Sequence, residues 1–257
     1  MIPVPTEFLT RPLAHRGYHN RSLRIPENSR AAFGAAVDAG YGIELDVRLS
    51  ADGEAMVFHD ASLERLTSVP GFVRERRRSE LEIIGLCGSG ETIPALDDVL
   101  ALVAGRVPVL VEIKKTLDAY MGNGCSLERA VAHAVSSYDG PVAVMSFCPD
   151  AVEAFAKAAP DVPRGLTTCS FRSRDWPELH EEVLDRLRNV SAYDRLGVTF
   201  ISHRVTALHH PRVAELKSLG AHVLCWTVRG REEEMKAREV AHNITFEGYA
   251  ARAPVPS

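Results

Sequence analysis

Gly42-Ile43-Glu44-Leu45-Asp46-Val47-Arg48-Leu49-Ser50-Ala51-Asp52-Gly53-Glu54-Ala55-Met56-Val57-Phe58-His59-Asp60 is the stretch whose reading decides the fold. Residues 43–47 read as a β-strand, and along a strand successive side chains point to opposite faces. Glu44 and Asp46 therefore share one face, while Ile43, Leu45 and Val47 share the other, which is apolar and suited to packing under a helix. Asp52-Gly53 turns the chain, and residues 56–58 bring it back to deliver His59 and Asp60 beside the carboxylates. Two unit negative charges about 4 Å apart repel by roughly 4 kcal/mol at an effective dielectric of about 20. Paired inward carboxylates thus call for a cation, a proton or a basic partner; the plainer alternative is a strand with a solvated acidic face.

Upstream of this stretch, residues 13–15 form a short apolar approach ending in His15-Arg16-Gly17. Pro26-Glu27-Asn28-Ser29 opens a helix over residues 30–39, with Ala32, Phe33, Ala36 and Val37 on one face and Gly40 as its stop. Downstream, residues 61–92 are polar and read as loop and short helix, with the run Arg74 to Arg78 on a solvated face and anion contact as its alternative. Helices are then expected at 94–105, 126–138, 149–159, 176–189, 213–219 and about 232–240. Strands are expected at 107–115, 142–147, 165–168, 198–202, 222–228 and 243–246. In the first of these Val109, Val111 and Ile113 alternate with Leu110, Glu112 and Lys114.

Eight strands alternating with helices imply parallel pairing, and 257 residues is the usual length of a (β/α)8 TIM barrel. The expected fold is therefore α/β, a single barrel domain over residues 1–257 with a short excursion after the second strand. A doubly wound open sheet is the structural alternative. The chain has no Gly-x-Gly-x-x-Gly after its first strand, which weighs against a dinucleotide-binding version of that sheet.

A formal net charge of −4 with 46% hydrophobic residues gives no global attraction to nucleic acid or to an anionic membrane. Residues 1–11 lack the basic-then-apolar pattern of a signal peptide, and no apolar run is long enough to span a bilayer. The five cysteines, Cys87, Cys125, Cys148, Cys169 and Cys225, are scattered without zinc-type spacing. Reduced thiols in a cytoplasmic protein are the economical expectation.

His15, Glu44, Asp46, Glu112, Lys114, Ser146, His203 and Trp226 all fall toward C-terminal strand ends, the catalytic face of a barrel. Three carboxylates beside one lysine suit a hard cation, which prefers oxygen ligands. At this point the sequence resembles the glycerophosphodiester phosphodiesterase family. The matching pieces are His15-Arg16-Gly17, Pro26-Glu27-Asn28, Gly42-Ile43-Glu44-Leu45-Asp46-Val47, Phe58-His59-Asp60, Ile93-Pro94, Glu112-Ile113-Lys114, Ser146-Phe147 and Cys225-Trp226-Thr227-Val228, in family order.

The resemblance implies a TIM barrel that hydrolyses small-molecule glycerophosphodiesters to glycerol 3-phosphate and an alcohol with a bound divalent metal, Mg2+ or Ca2+. Carried over motif by motif, Glu44, Asp46 and Glu112 would hold the metal and His15 and His59 would be the acid–base pair. Arg16 and Lys114 would bind the phosphate, Glu27 would support the site and Trp226 would wall the substrate pocket. His19 and His203 are further candidates for the mouth. The chain departs from the family at the last strand, where an Asp-containing turn is replaced by Thr245-Phe246-Glu247-Gly248-Tyr249. Its short 61–92 segment also leaves the mouth relatively open. The alternatives are a phospholipase-type phosphodiesterase or lyase acting on a lipid headgroup, and a non-catalytic barrel that binds a phosphorylated ligand.

Overall fold

The computed structural model describes residues 2–115 and 126–252. Among the described residues, eight parallel strands close into a barrel: β1 (Leu13–His15), β2 (Gly42–Leu49), β4 (Val109–Ile113), β5 (Val142–Ser146), β6 (Arg164–Thr168), β7 (Phe200–Arg204), β8 (His222–Val228) and β9 (Asn243–Phe246). The short β1 closes it, pairing Leu13 with Gly42 on one side and with Thr245 on the other. A ninth strand, β3 (Ala55–Val57), runs antiparallel to β2 outside the ring, so the hairpin read from Asp52-Gly53 is present.

Strand alternation sorts the side chains as expected. Ile43, Leu45, Val47, Val109, Val111 and Ile113 point outward into the main core beneath the helices. Leu13, Leu110, Ala143, Met145, Phe200 and Leu224 point inward and plug the lower barrel. Gly165 is opposite Phe200 in register, and a Cβ there would lie 2.4 Å from the phenyl ring, so a small residue is required to fit the large one. From below, the plug is completed by Val4 and by Phe8 of helix α1 (Glu7–Thr10), an element with no counterpart in the sequence reading.

Helices separate the strands. In α2 (Arg30–Asp38), Ser29 Oγ accepts from the Ala32 N–H at 3.1 Å, and Ala32, Phe33 and Ala36 are buried. The excursion after β3 carries α3 (Arg78–Leu81) and a small core of its own built on Met56, Phe58, Leu63, Leu81, Leu86 and Ile93. The basic run there is only partly a solvated face. Arg78 is tied to Glu82 at 2.7 Å and Asp97 at 2.8 Å, the latter in α4 (Leu96–Val103). This pins the excursion to the barrel wall.

The remaining helices are α5 (Ser126–Ser136), α6 (Pro149–Ala158), α7 (Glu181–Arg188), α8 (Tyr193–Leu196), α9 (Pro211–Ser218) and α10 (Arg231–Arg238). The single helix expected over 176–189 is a correction. A 3-10 turn at Ser173–Asp175 precedes Trp176, α7 begins only at Glu181, and α8 follows separately. His180 has extended backbone, φ −66° and ψ 148°, so it caps a helix that starts at Glu181 instead of continuing one from Trp176. Cys87, Cys148, Cys169 and Cys225 are free thiols; Cys125 lies outside the described residues. Among those residues no helix is long and apolar enough to cross a membrane.

Candidate active site

The upper barrel is polar where the lower barrel is apolar. Register sets His15 beside Glu44 and Asp46 beside Glu112, so three adjacent strands aim inward side chains near their C-terminal ends at one point. Oxygens of Glu44, Asp46 and Glu112 lie within 4.8 Å of one another, and none of these residues is more than 5% exposed. Lys114 Nζ sits 3.0 Å from Asp46 and 2.5 Å from Glu112. Among the described residues Glu44 has no such lysine or arginine partner; its Oε2 accepts from the Arg16 N–H at 3.0 Å.

The electrostatics follow from that asymmetry. Burial, then the charges of Asp46 and Glu112, raise the pKa of Glu44 well above its ordinary value. Burial also raises Glu112, against the pull of Lys114. Asp46 behaves oppositely: burial is outweighed by Lys114, His59, Arg16 and His15, which hold it far below the carboxylate range. The cluster therefore holds more carboxylates than its own bases neutralise, and with no further cation a proton is favoured at Glu44 and Glu112. An all-oxygen, converging, buried donor set of this kind fits a hard divalent cation.

Two left-handed residues shape the rim. Arg16 has φ 56° and Asn28 φ 55°, conformations that cost a non-glycine residue of order 1 kcal/mol. The cost is offset by what they hold. The Asn28 N–H donates to the Arg16 carbonyl at 2.8 Å, and Asn28 Nδ2 donates to Asp46 at 2.9 Å. Gly17, at φ +80°, is needed for contact as well as conformation, because a Cβ would lie 2.8 Å from that of Ala32. The Arg16 side chain pairs with Glu27 at 2.5 Å and lies 3.3 Å from Asp46, but its Nε is buried without a hydrogen-bond acceptor.

Both histidines have Nδ1 on a carboxylate. His15 Nδ1 donates to Glu247 at 2.5 Å, leaving Nε2 4.0 Å from Glu44. His59 Nδ1 donates to Asp60 at 2.6 Å. Since an ionised carboxylate only accepts, each Nδ1 carries the proton and each neutral ring keeps Nε2 as its acceptor. Burial lowers both pKa values, that of His59 to about 4, so the rings rest neutral at pH 7.

Arg65 joins the two sides of the rim: it donates to both oxygens of Glu27 at 2.7 and 2.9 Å and also pairs with Asp60. Arg65 and Glu247 are site residues to which the sequence reading gave no role. Glu247 was visible only as a departure from the family's last turn.

The other candidates separate. His19 Nε2 lies 3.8 Å from Glu247, at the rim. His203 does not belong to the mouth: it is 4% exposed, on the opposite face of β7 from Ser202, with Nδ1 2.8 Å from Thr168 Oγ1. Trp226 donates to the Ser202 carbonyl at 3.0 Å, with Arg204 5.0 Å over its ring and Phe147 edge-on at 5.5 Å. Beside the carboxylates a cleft of about 260 Å³ opens, lined by Arg48, His59, Glu112, Lys114, Phe147 and Trp176 among others; Trp226 packs behind Phe147 rather than lining it.

A family model, the glycerophosphoryl diester phosphodiesterase family, matches residues 15–243. The chain belongs to that family. With membership comes the class of enzyme, a phosphoric diester hydrolase. This family member is 34% identical over 164 residues to a glycerophosphodiester phosphodiesterase of Caldanaerobacter subterraneus, covering 60% of this chain and 65% of that protein. It is 32% identical over 169 residues to a glycerophosphodiester phosphodiesterase of Bacillus altitudinis, covering 62% and 67%. These alignments therefore span about two thirds of each relative's length. The barrel itself superposes on an Oleispira antarctica phosphodiesterase, solved with the product sn-glycerol-3-phosphate, with a TM-score of 0.78 at 23% identity over 95% of both chains. At that identity the likeness speaks for the fold.

Proposed function

We propose that this phosphodiesterase hydrolyses glycerophosphodiesters to glycerol 3-phosphate and an alcohol by histidine acid–base catalysis at a divalent metal site. The observation that carries this reading is the convergence of Glu44, Asp46 and Glu112 within 4.8 Å between two neutral, carboxylate-oriented imidazoles. Glu44, Asp46 and Glu112 would hold Mg2+ or Ca2+, which when bound supplies positive charge against the phosphoryl oxygens and lowers the pKa of a bound hydroxyl.

The chain's own groups supply the rest. The Arg16 Nε–H, a buried donor without an acceptor, and the Lys114 ammonium are placed to take the diester's anionic oxygens, where added transition-state charge makes them bind more strongly. A neutral imidazole with a free Nε2 accepts the proton of the attacking hydroxyl, and the second, once protonated, returns one to the departing alcohol oxygen. Glu27 positions Arg16 rather than reaching the carboxylate cluster, since its oxygens are committed to Arg16 and Arg65. A cleft of about 260 Å³ beside Glu112 and His59 offers room for part of the diester next to the reacting centre. A cytoplasmic setting agrees with the free thiols of Cys87, Cys148, Cys169 and Cys225.

The test is release of glycerol 3-phosphate from a panel of glycerophosphodiesters before and after exhaustive chelation. Activity should vanish with EDTA and return with Mg2+ or Ca2+; full turnover in EDTA would remove the metal from this mechanism.

A further inference from the structure

Arg48 follows Asp46 by two residues on β2, so it shares the inward face of Glu44 and Asp46 and stands one step nearer the mouth. Among the described residues its side chain makes a single hydrogen bond, from Nε to the His59 carbonyl at 2.7 Å. That bond fixes the plane of the guanidinium against the backbone of a catalytic histidine. Among the same described residues the two terminal nitrogens have no hydrogen-bond partner, and the group borders the cleft beside the carboxylates.

The nearby acids act on Arg48 only through space, because each has its hydrogen bonds elsewhere. Asp46 is held by Lys114 and Asn28, Asp60 by His59 and Arg65, and Glu112 by Lys114. The cleft wall opposite is apolar, with Phe147, Trp176 and Leu179. Its one further acid, Glu178, is exposed at the outer edge. A small chamber with an aromatic wall and one uncommitted guanidinium therefore adjoins the reacting centre.

We propose that Arg48 is a specificity-determining residue, selecting diesters whose departing alcohol carries a carboxylate or phosphate over those whose alcohol carries an ammonium. This rests on the phosphodiesterase reading above and goes beyond it by assigning the chemistry of the alcohol side. An Arg guanidinium with two free N–H-bearing nitrogens accepts such an anion through paired hydrogen bonds. An ammonium in the same chamber meets like charge at close range.

The experiment compares three glycerol phosphate diesters of similar length, those of 3-hydroxypropionate, 1-propanol and ethanolamine. For the parent, Arg48→Gln and Arg48→Lys, kcat/KM is measured on each with metal present. The parent should rank them anionic, neutral, cationic. Arg48→Gln should shrink the anionic-to-cationic ratio by about tenfold, and Arg48→Lys should keep most of it. Calorimetric binding of the non-hydrolysable phosphonate analogues reads the same ratio without turnover. If no diester is hydrolysed yet the binding ratio still depends on Arg48, the catalytic reading fails and the selectivity stands. An equal loss on all three diesters would make Arg48 a phosphate ligand and overturn the proposal, as would a ratio unchanged in Arg48→Gln.

Discussion

Glu247 meets His15 across 232 positions of sequence, and that distance explains why it could not be read beforehand. Pairs such as Glu44 and Asp46, or Glu112 and Lys114, are legible because two-residue spacing on a strand puts them on one face whatever the tertiary fold. A partner brought in by the closing strand of a barrel leaves no local pattern. The hydrogen bond from His15, with His19 close by, holds the Glu247 carboxyl far below its ordinary range, against the opposing effect of burial, so it is an anion throughout the neutral range. Its action is to fix the tautomer and orientation of His15. Glu247→Ala should therefore lower kcat by about 10²-fold with little change in KM, and Glu247→Gln, which still offers an acceptor to Nδ1–H, should recover most of the loss. A loss carried mainly in KM would mean that Glu247 touches substrate instead. His15→Ala and His59→Ala should each lose roughly 10²–10⁴-fold in turnover on a natural diester. The double variant should fall little further, because the two act as a unit. A nitrophenyl diester, whose leaving group needs no proton, should rescue one of the single variants and not the other; near-parent turnover in both would end the acid–base assignment.

Between residue and fold stands the rim network of Glu27, Arg65 and Asp60, which ties the loop before α2 to the excursion after β3. Burial opposes ionisation of Glu27, but the hydrogen bond from Arg65 and the charge and hydrogen bond of Arg16 outweigh it and bring the pKa from 4.5 down to about 2. A depressed acid pKa means stability that is present above the unfolded value and lost as pH falls through the folded one. Chemical denaturation between pH 5 and 2 should then show the parent losing about 1–2 kcal/mol more than Glu27→Gln, a figure already reduced for solvent screening at the rim. Parallel curves for the two proteins would show that the Arg65 bridge contributes nothing to acid resistance. Much at this scale was readable: the hairpin at Asp52-Gly53, the Ser29 cap and the inward and outward faces of β2 and β4 all follow from short-range pattern. The helix expected over 176–189 starts late because His180 is extended, a backbone state that helix-spaced charged residues do not reveal. α1 was missed because only Phe8 of its four residues is buried, and one buried residue makes no periodicity.

For the whole molecule, the polar upper barrel means that folding concentrates charge which the unfolded chain keeps apart. Glu44 shows the consequence most directly. Its folded pKa lies well above 4.5, chiefly through burial and then through Asp46 and Glu112. A raised acid pKa contributes stability that is complete below the unfolded value and lost as pH rises through the folded one. The metal-free protein should accordingly melt lower as pH rises from about 5 toward 8, whereas Glu44→Gln, which has no such proton to lose, should lack that part of the decline. At pH 7.5 and without metal the variant should melt at least as high as the parent. A divalent ion reverses the order. Binding to the native state alone stabilises by about 2.7 kcal/mol at a hundredfold excess over Kd, which for a chain of this size is roughly 5–10 °C in melting temperature. The parent should show that rise with Mg2+ or Ca2+, and Glu44→Gln only a small part of it, because one of its three anionic ligands is gone. Gross unfolding of Glu44→Gln in the absence of metal would instead mark Glu44 as one half of a structural pair. Equal responses of parent and variant to the ion would take Glu44 out of the metal site.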